Sequence, residues 1–213
     1  VLAIFLAIST GFAPQRGLED TQSEQSSEGK FVLWVDPGDI RSLDFRYGIG
    51  GPENQPLPPF RFIEEDRSGT SPKIHVRDAR GITWNVKWGP EASPSAFCTR
   101  LMWACGYFVQ PEYFLKNGHN EGVRDLKRAK SHISDDGSFV NARFQLRTDS
   151  PEYLNGYRWT WTNNPFGRTH EIQGLKILSQ LVSNWDTKAS NLALFLDDRT
   201  GAPRYVYAIA DWG

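Results

Sequence analysis

At 213 residues the chain is long enough to bury a sizeable core, in one domain or in two small ones. Hydrophobic residues at 39% against 23% charged argue for a folded protein, and a formal net charge of −1 with no basic block gives no reason to expect nucleic-acid binding. Eight Trp and thirteen Phe point to aromatic packing of core and sheet, with carbohydrate stacking as the lesser alternative.

The chain opens on V-L-A-I-F-L-A-I-S-T-G-F-A, Val1 to Ala13, which is apolar, ends in small residues and is too short to span a bilayer. It resembles the apolar region and cleavage zone of a secretory signal without its basic start, and Pro14 to Lys30 then reads as a polar linker. Residues 1–30 are therefore expected to be a signal-like segment and linker. The protein would then be extracytoplasmic, periplasmic or secreted, and cytoplasmic if the apolar run is instead a buried first strand or helix. No transmembrane span is expected.

Phe31 to Val35 predicts a short strand ending at Asp36-Pro37-Gly38-Asp39. Gly48 to Pro59 reads as loop. Strands are expected at Phe60 to Glu64, Lys73 to Val76 and Ile82 to Trp88, the last two joined by the hairpin signal Arg77 to Gly81. Ser93 before Pro94 resembles an N-cap and first helical residue, and Phe97, Leu101, Met102, Cys105 and Phe108 follow at helical spacing, with Gly106 marking the end. Cys98 and Cys105 lie about 10 Å apart along such a helix, beyond disulfide reach. The four histidines show no metal-ligand spacing, so no zinc site is expected.

Strand signals return at Glu112 to Leu115 and Phe139 to Arg147, and the alternating aromatics of Tyr157 to Thr162 suggest another. Thr169 caps a predicted second helix whose apolar face is Ile172, Leu175, Leu178, Leu181 and Val182. Leu192 to Leu196 and Tyr205 to Ala210 form a hairpin. Its tip spans Asp197 to Arg204.

Around that hairpin stand Asp186-Thr187-Lys188-Ala189-Ser190-Asn191 and Asp211-Trp212-Gly213, an Asp-x-Lys-x-x-Asn followed by Asp-aromatic-Gly. Phosphoryl transfer needs a carboxylate near the attacking hydroxyl, oxygen ligands for a hard cation, and a cation on the phosphates. Asp186 is the candidate carboxylate and Lys188 a candidate for steadying the transferred group. Asn191 and Asp211 are the candidate metal ligands. Lys87, in the strand around Val86-Lys87, is the candidate phosphate anchor. Ser68-Gly69-Thr70 is a candidate backbone nest with one glycine, and Glu91 the nearest carboxylate to partner Lys87. A polar turn and a solvated strand lysine are the structural alternatives.

From Pro59 to Gly213 these segments resemble the protein-kinase-like superfamily. The segments Pro72 to Val76, Val86 to Ala92, Arg100 to Tyr107 and Ser183 to Asn191 are most similar to a bacterial group of atypical members. The resemblance implies an α+β fold with a β-rich small lobe over 31–150 and the start of a helical large lobe over 151–213, incomplete after the second Asp motif. It implies ATP with Mg²⁺ or Mn²⁺, and phosphoryl transfer to an acceptor, protein or small molecule, that it leaves unspecified. A catalytically inactive nucleotide-binding or scaffold protein is the first alternative, an extracytoplasmic glycan-binding module the second. Trp185 stands where the family has arginine, which argues against control by activation-loop phosphorylation.

Overall fold

Alternation decides the architecture. In Thr83-Trp84-Asn85-Val86-Lys87 the Trp84 and Val86 side chains are fully buried while Thr83, Asn85 and Lys87 face the other way. The computed structural model describes residues 31–147, 159–186, 188–197 and 203–212. The signal-like segment, Tyr157, Arg158, Thr187, the hairpin tip after Asp197 and Gly213 lie outside the described residues. In chain order the strands are β1 (Phe31–Val32), β2 (Phe60–Asp66), β3 (Lys73–Arg77), β4 (Thr83–Lys87), β5 (Phe108–Val109), β6 (Glu112–Glu121), β7 (Ser138–Leu146), β8 (Leu192–Asp197) and β9 (Arg204–Ile209). The two helices are α1 (Ala92–Ala104) and α2 (His170–Leu181).

Five strands close into a barrel in the order β2-β3-β4-β7-β6. Phe60, Ile74, Val76, Trp84, Val86 and Phe144 fill it, with Phe60 and Phe144 rings 4.8 Å apart. The β3–β4 turn is set by Asp78, whose carboxylate accepts from the backbone N–H of Arg80 (2.9 Å) and Ile82 (3.0 Å) and from the Trp84 indole (3.2 Å). A second, four-stranded sheet is centred on β9. Strand β8 pairs antiparallel along it, and β1 and β5 pair in parallel with its first and second halves. Met102 of α1, Ile172 and Leu175 of α2, Leu192, Ile209 and Trp212 share the core between this sheet and the helices.

Thr169 caps α2 as its sequence predicts, its hydroxyl accepting from Ile172 N–H. The predicted apolar face divides. Ile172 and Leu175 are buried, Leu178 and Val182 half-buried, and Leu181 is 72% exposed. Helix α1 starts at Ala92, one residue before the expected cap, because a tight turn from Gly89 to Ala92 leads into it. Pro94 is then tolerated in the first turn, where an amide has no helical partner. Gly106 follows the helix end at φ +88°, as expected.

The kinase-like architecture expected from the motifs is corrected by this structure. The chain forms a small α+β fold with a closed five-stranded barrel, a second sheet and two helices among the described residues, not a β-rich small lobe joined to a helical large lobe. The physical cause lies in β6. Its polar second half, Lys116 to Glu121, lies beyond the strand expected at Glu112 to Leu115, yet it continues the strand to ten residues and pairs with β7 through Asn117↔Val140 and His119↔Ser138. Its end then meets β2 in parallel, Phe60↔Asn120 and Arg61↔Glu121, and this contact closes the barrel and removes both sheet edges. Beyond residue 159 the chain contributes two strands to the second sheet as well as one helix. Among the described residues no helix is long and apolar enough to cross a membrane.

Candidate functional site

The outer face of the barrel carries a row of charge. Cross-strand register places Asp66, Lys73, Lys87 and Arg143 on successive strands β2, β3, β4 and β7. The next row is Glu64, His75, Asn85, Gln145 and Glu112, running on to β6. Both rows follow from the alternation that sends Ile74, Val86 and Phe144 inward.

Asp211, two residues beyond β9, is laid against the first row. Its Oδ2 accepts from Lys87 Nζ at 3.0 Å and its Oδ1 from Arg143 Nη1 at 3.2 Å. Arg143 is 2% exposed and continues to Glu112, itself 1% exposed, at 3.4 Å. Glu112 also accepts from the Ser95 hydroxyl of α1 and from Gln145 Nε2, each at 3.0 Å. Gln145 reaches onward to the Ala210 carbonyl at 2.6 Å, and Arg143 also donates to Ser95 Oγ. Helix α1, strands β4, β6 and β7, and the chain after β9 therefore meet in one polar cluster.

Electrostatics within the cluster differ by position. Burial works to raise the Asp211 carboxyl, but Arg143 and Lys87 hold it below its ordinary value, so it stays ionised. Burial, together with the neighbouring Arg143 charge, lowers the Lys87 ammonium against the pull of Asp211. Burial pushes the Glu112 carboxyl up despite Arg143 beside it.

The loop after α2 is strapped to this cluster. The Asn184 side-chain oxygen accepts from Asp186 N–H at 3.2 Å, and its amide nitrogen donates to the Asp211 carbonyl at 3.4 Å. Asn191, 7% exposed, donates its amide N–H to the Asp186 carbonyl at 2.9 Å, and its own carbonyl accepts from Ala210 N–H at 2.8 Å. The Asp186 carboxylate is about half exposed and pairs with Lys188 Nζ at 2.6 Å. The Lys188 ammonium is held above its ordinary value by its bond to Asp186, with a weaker contribution from Asp211. Asp186, Lys188, Asn191, Asp211 and Lys87 thus belong to one connected neighbourhood.

The other sequence candidates lie beside it. Ser68 Oγ accepts from Lys73 Nζ at 3.1 Å, and Ser68 N–H donates to Asp66 at 2.8 Å. The carbonyls of Arg67 and Gly69 accept from Arg128 at 2.8 and 2.9 Å, and that of Thr70 accepts from the same guanidinium. The one-glycine loop is therefore held by its carbonyls. Glu91 accepts from Ser71 Oγ at 3.2 Å, while the ion pair of Lys87 is with Asp211.

The chain matches no protein-family model, no curated protein and no solved structure.

Sequence reasoning did not single out Arg143, Glu112, Gln145 or Asn184 as site residues. The available signal for Arg143 and Gln145 was their alternation with Ala142, Phe144 and Leu146, which puts two polar side chains opposite a core face. Ser95 of α1 faces Glu112 of β6, so the carboxylate beside this helix comes from the barrel and not from the helix itself. Trp159 is buried and donates its indole N–H to the Ala193 and Ala208 carbonyls, so this ring of the aromatic stretch packs in the core instead of facing a sugar.

Proposed function

We propose that this cluster binds a nucleoside triphosphate with a divalent cation and transfers a phosphoryl group. The observation that carries the reading is the convergence of Lys87 and Asp211 at 3.0 Å beside a loop that presents Asp186 and Lys188 to solvent. The donor set suits a hard cation: Asp211 is ionised, and Asn191 adds an amide side chain on the loop next to it. Those two residues would hold Mg²⁺ or Mn²⁺, which neutralises phosphate charge when bound. Two protein ligands are usual for Mg²⁺, whose remaining positions go to water and substrate phosphate.

The roles of the chain's own groups follow from their positions. Lys87 supplies a fixed positive charge at the barrel wall for the phosphates. Arg143, buried behind Asp211, keeps that carboxylate in place when Lys87 turns to the substrate. Asp186, on an exposed loop clipped by Asn184 and Asn191, accepts the proton of an acceptor hydroxyl as that oxygen bonds the terminal phosphorus and the nucleoside diphosphate leaves, and Lys188 beside it steadies the transferred phosphoryl group.

The test is kinetic. Asp186→Asn lowers turnover by about 10²- to 10⁴-fold with little change in nucleotide affinity, the range for loss of a general base. Asp211→Asn weakens metal-dependent nucleotide use, because a neutral amide is a poorer ligand than a carboxylate. Full turnover in Asp186→Asn defeats the assignment. A second reading, nucleotide binding without transfer, draws on the closed ion pairing of Asp211, whose two oxygens are each taken by a cation. It predicts nucleotide binding in the unsubstituted protein with no turnover for any acceptor.

A further inference from the structure

The pairing of β3 with β4 sets Lys73 directly opposite Lys87, and Arg143 stands opposite Lys87 on the other side. Like charges placed opposite one another across strands are unfavourable, so sheet stability alone gives no reason for this row. The side chains of Lys73 and Lys87 are only 17% and 20% exposed, which raises the cost of leaving them without anions. Asp66 at 3.0 Å from Lys73 and Asp211 at 3.0 Å from Lys87 give each ammonium one carboxylate. The Lys73 ammonium also reaches the one-glycine loop, donating to Ser68 Oγ at 3.1 Å. That loop is anchored from outside by Arg128 and from inside by the Lys73–Ser68 bond.

We infer that Lys73 and Lys87, side by side on β3 and β4, hold a chain of linked phosphates, with Lys73 taking the end nearer Ser68. The inference rests on the phosphate role proposed above for Lys87 and adds a second cation and a ligand class to it. Neighbouring strands lie about 4.8 Å apart, and that is the separation of the facing β3 and β4 positions that Lys73 and Lys87 occupy. That length suits two or three linked phosphates better than a single one. The same chemistry is offered by a nucleoside triphosphate and by inorganic polyphosphate.

Calorimetric titration of the intact protein with tripolyphosphate, orthophosphate and ATP tests this. Tripolyphosphate is expected to bind at least about tenfold more tightly than orthophosphate, and Lys73→Met and Lys73→Gln each to weaken it by about tenfold, the scale of one charge-assisted bond. Lys116→Met, an exposed lysine on β6, leaves it unchanged. Equal binding of orthophosphate and tripolyphosphate, or unchanged tripolyphosphate affinity in both Lys73 variants that remain folded by circular dichroism, overturns the inference. ATP displacing tripolyphosphate supports the row as a nucleotide site. Tripolyphosphate binding that ATP cannot displace supports the row and removes the nucleotide reading, so the two failures are separable. Loss of affinity in Lys87→Met with none in either Lys73 variant overturns the row and leaves the role of Lys87 standing.

Discussion

Replacing Arg143 with Met removes one partner of an ion pair whose members are 2% and 1% exposed. Breaking a pair so deeply buried costs about 3–5 kcal/mol, because the remaining charge is stranded. Ser95 and Gln145 still donate to Glu112, so the lower end, about 3 kcal/mol, is expected. For a chain of this length that corresponds to a fall of roughly 6–12 °C in Tm. The double variant Arg143→Met/Glu112→Gln has no stranded charge and should recover most of the loss, giving a coupling energy of about 2 kcal/mol or more. Urea unfolding followed by tryptophan fluorescence measures all four corners of the cycle. A sign follows for pH as well. In Arg143→Met the Glu112 carboxyl, already raised by burial, has a native pKa above its unfolded value of about 4.3. The charged form then costs the native state, and stability returns as pH falls through the raised value toward 4.3. Coupling below about 0.5 kcal/mol, the range of independent sites, would refute the pair as the centre of the cluster.

Three further outcomes follow from the packing. Glu65, 3% exposed, is held down to about 2 against its own burial by the backbone N–H groups of Ala129, Lys127 and Arg128 and by Arg67. Its native pKa is depressed, so its contribution is present above pH 4.3 and lost as pH falls toward 2; Glu65→Gln should therefore converge with the unsubstituted protein in acid, and a pH-independent gap in urea stability would contradict this. Gly106→Ala should destabilise by at least about 1 kcal/mol, since φ is +88° and a Cβ there collides with the Val35 carbonyl; an unchanged melting temperature would show the turn to be adaptable. Leu175→Ala, at a side chain 1% exposed where α2 meets the second sheet, should cost about 2–5 kcal/mol by thermal unfolding, and a loss under 1 kcal/mol would count against that core.

How much could be read in advance depended on the range of the determining forces. The β3–β4 hairpin and the cap of α2 were legible because Asp78, Gly81 and Thr169 act within a few residues of themselves. The proximity of Asp186, Lys188 and Asn191 was legible for the same reason, since all three are tied together inside one loop. Lys87 could be marked only as a lysine between apolar neighbours, and its partner Asp211 lies 124 residues away. The architecture failed at β6, where Lys-Asn-Gly-His-Asn-Glu has poor strand character and is nevertheless recruited by pairing with β7 and β2. Arg143 and Glu112 were invisible as a pair because their contact depends on cross-strand register and on Ser95 arriving from α1, neither of which a local pattern encodes.

Equilibrium binding of ATP to the intact protein, with Mg²⁺ or Mn²⁺ and with neither, tests the proposed function most directly. The expected result is binding that the divalent cation strengthens, that Lys87→Met and Asp211→Asn each weaken, and that Asp186→Asn leaves nearly unchanged. No binding of ATP with either cation would contradict the phosphoryl-transfer reading and leave the Lys87–Asp211–Arg143–Glu112 cluster as a structural joint between the barrel and the second sheet.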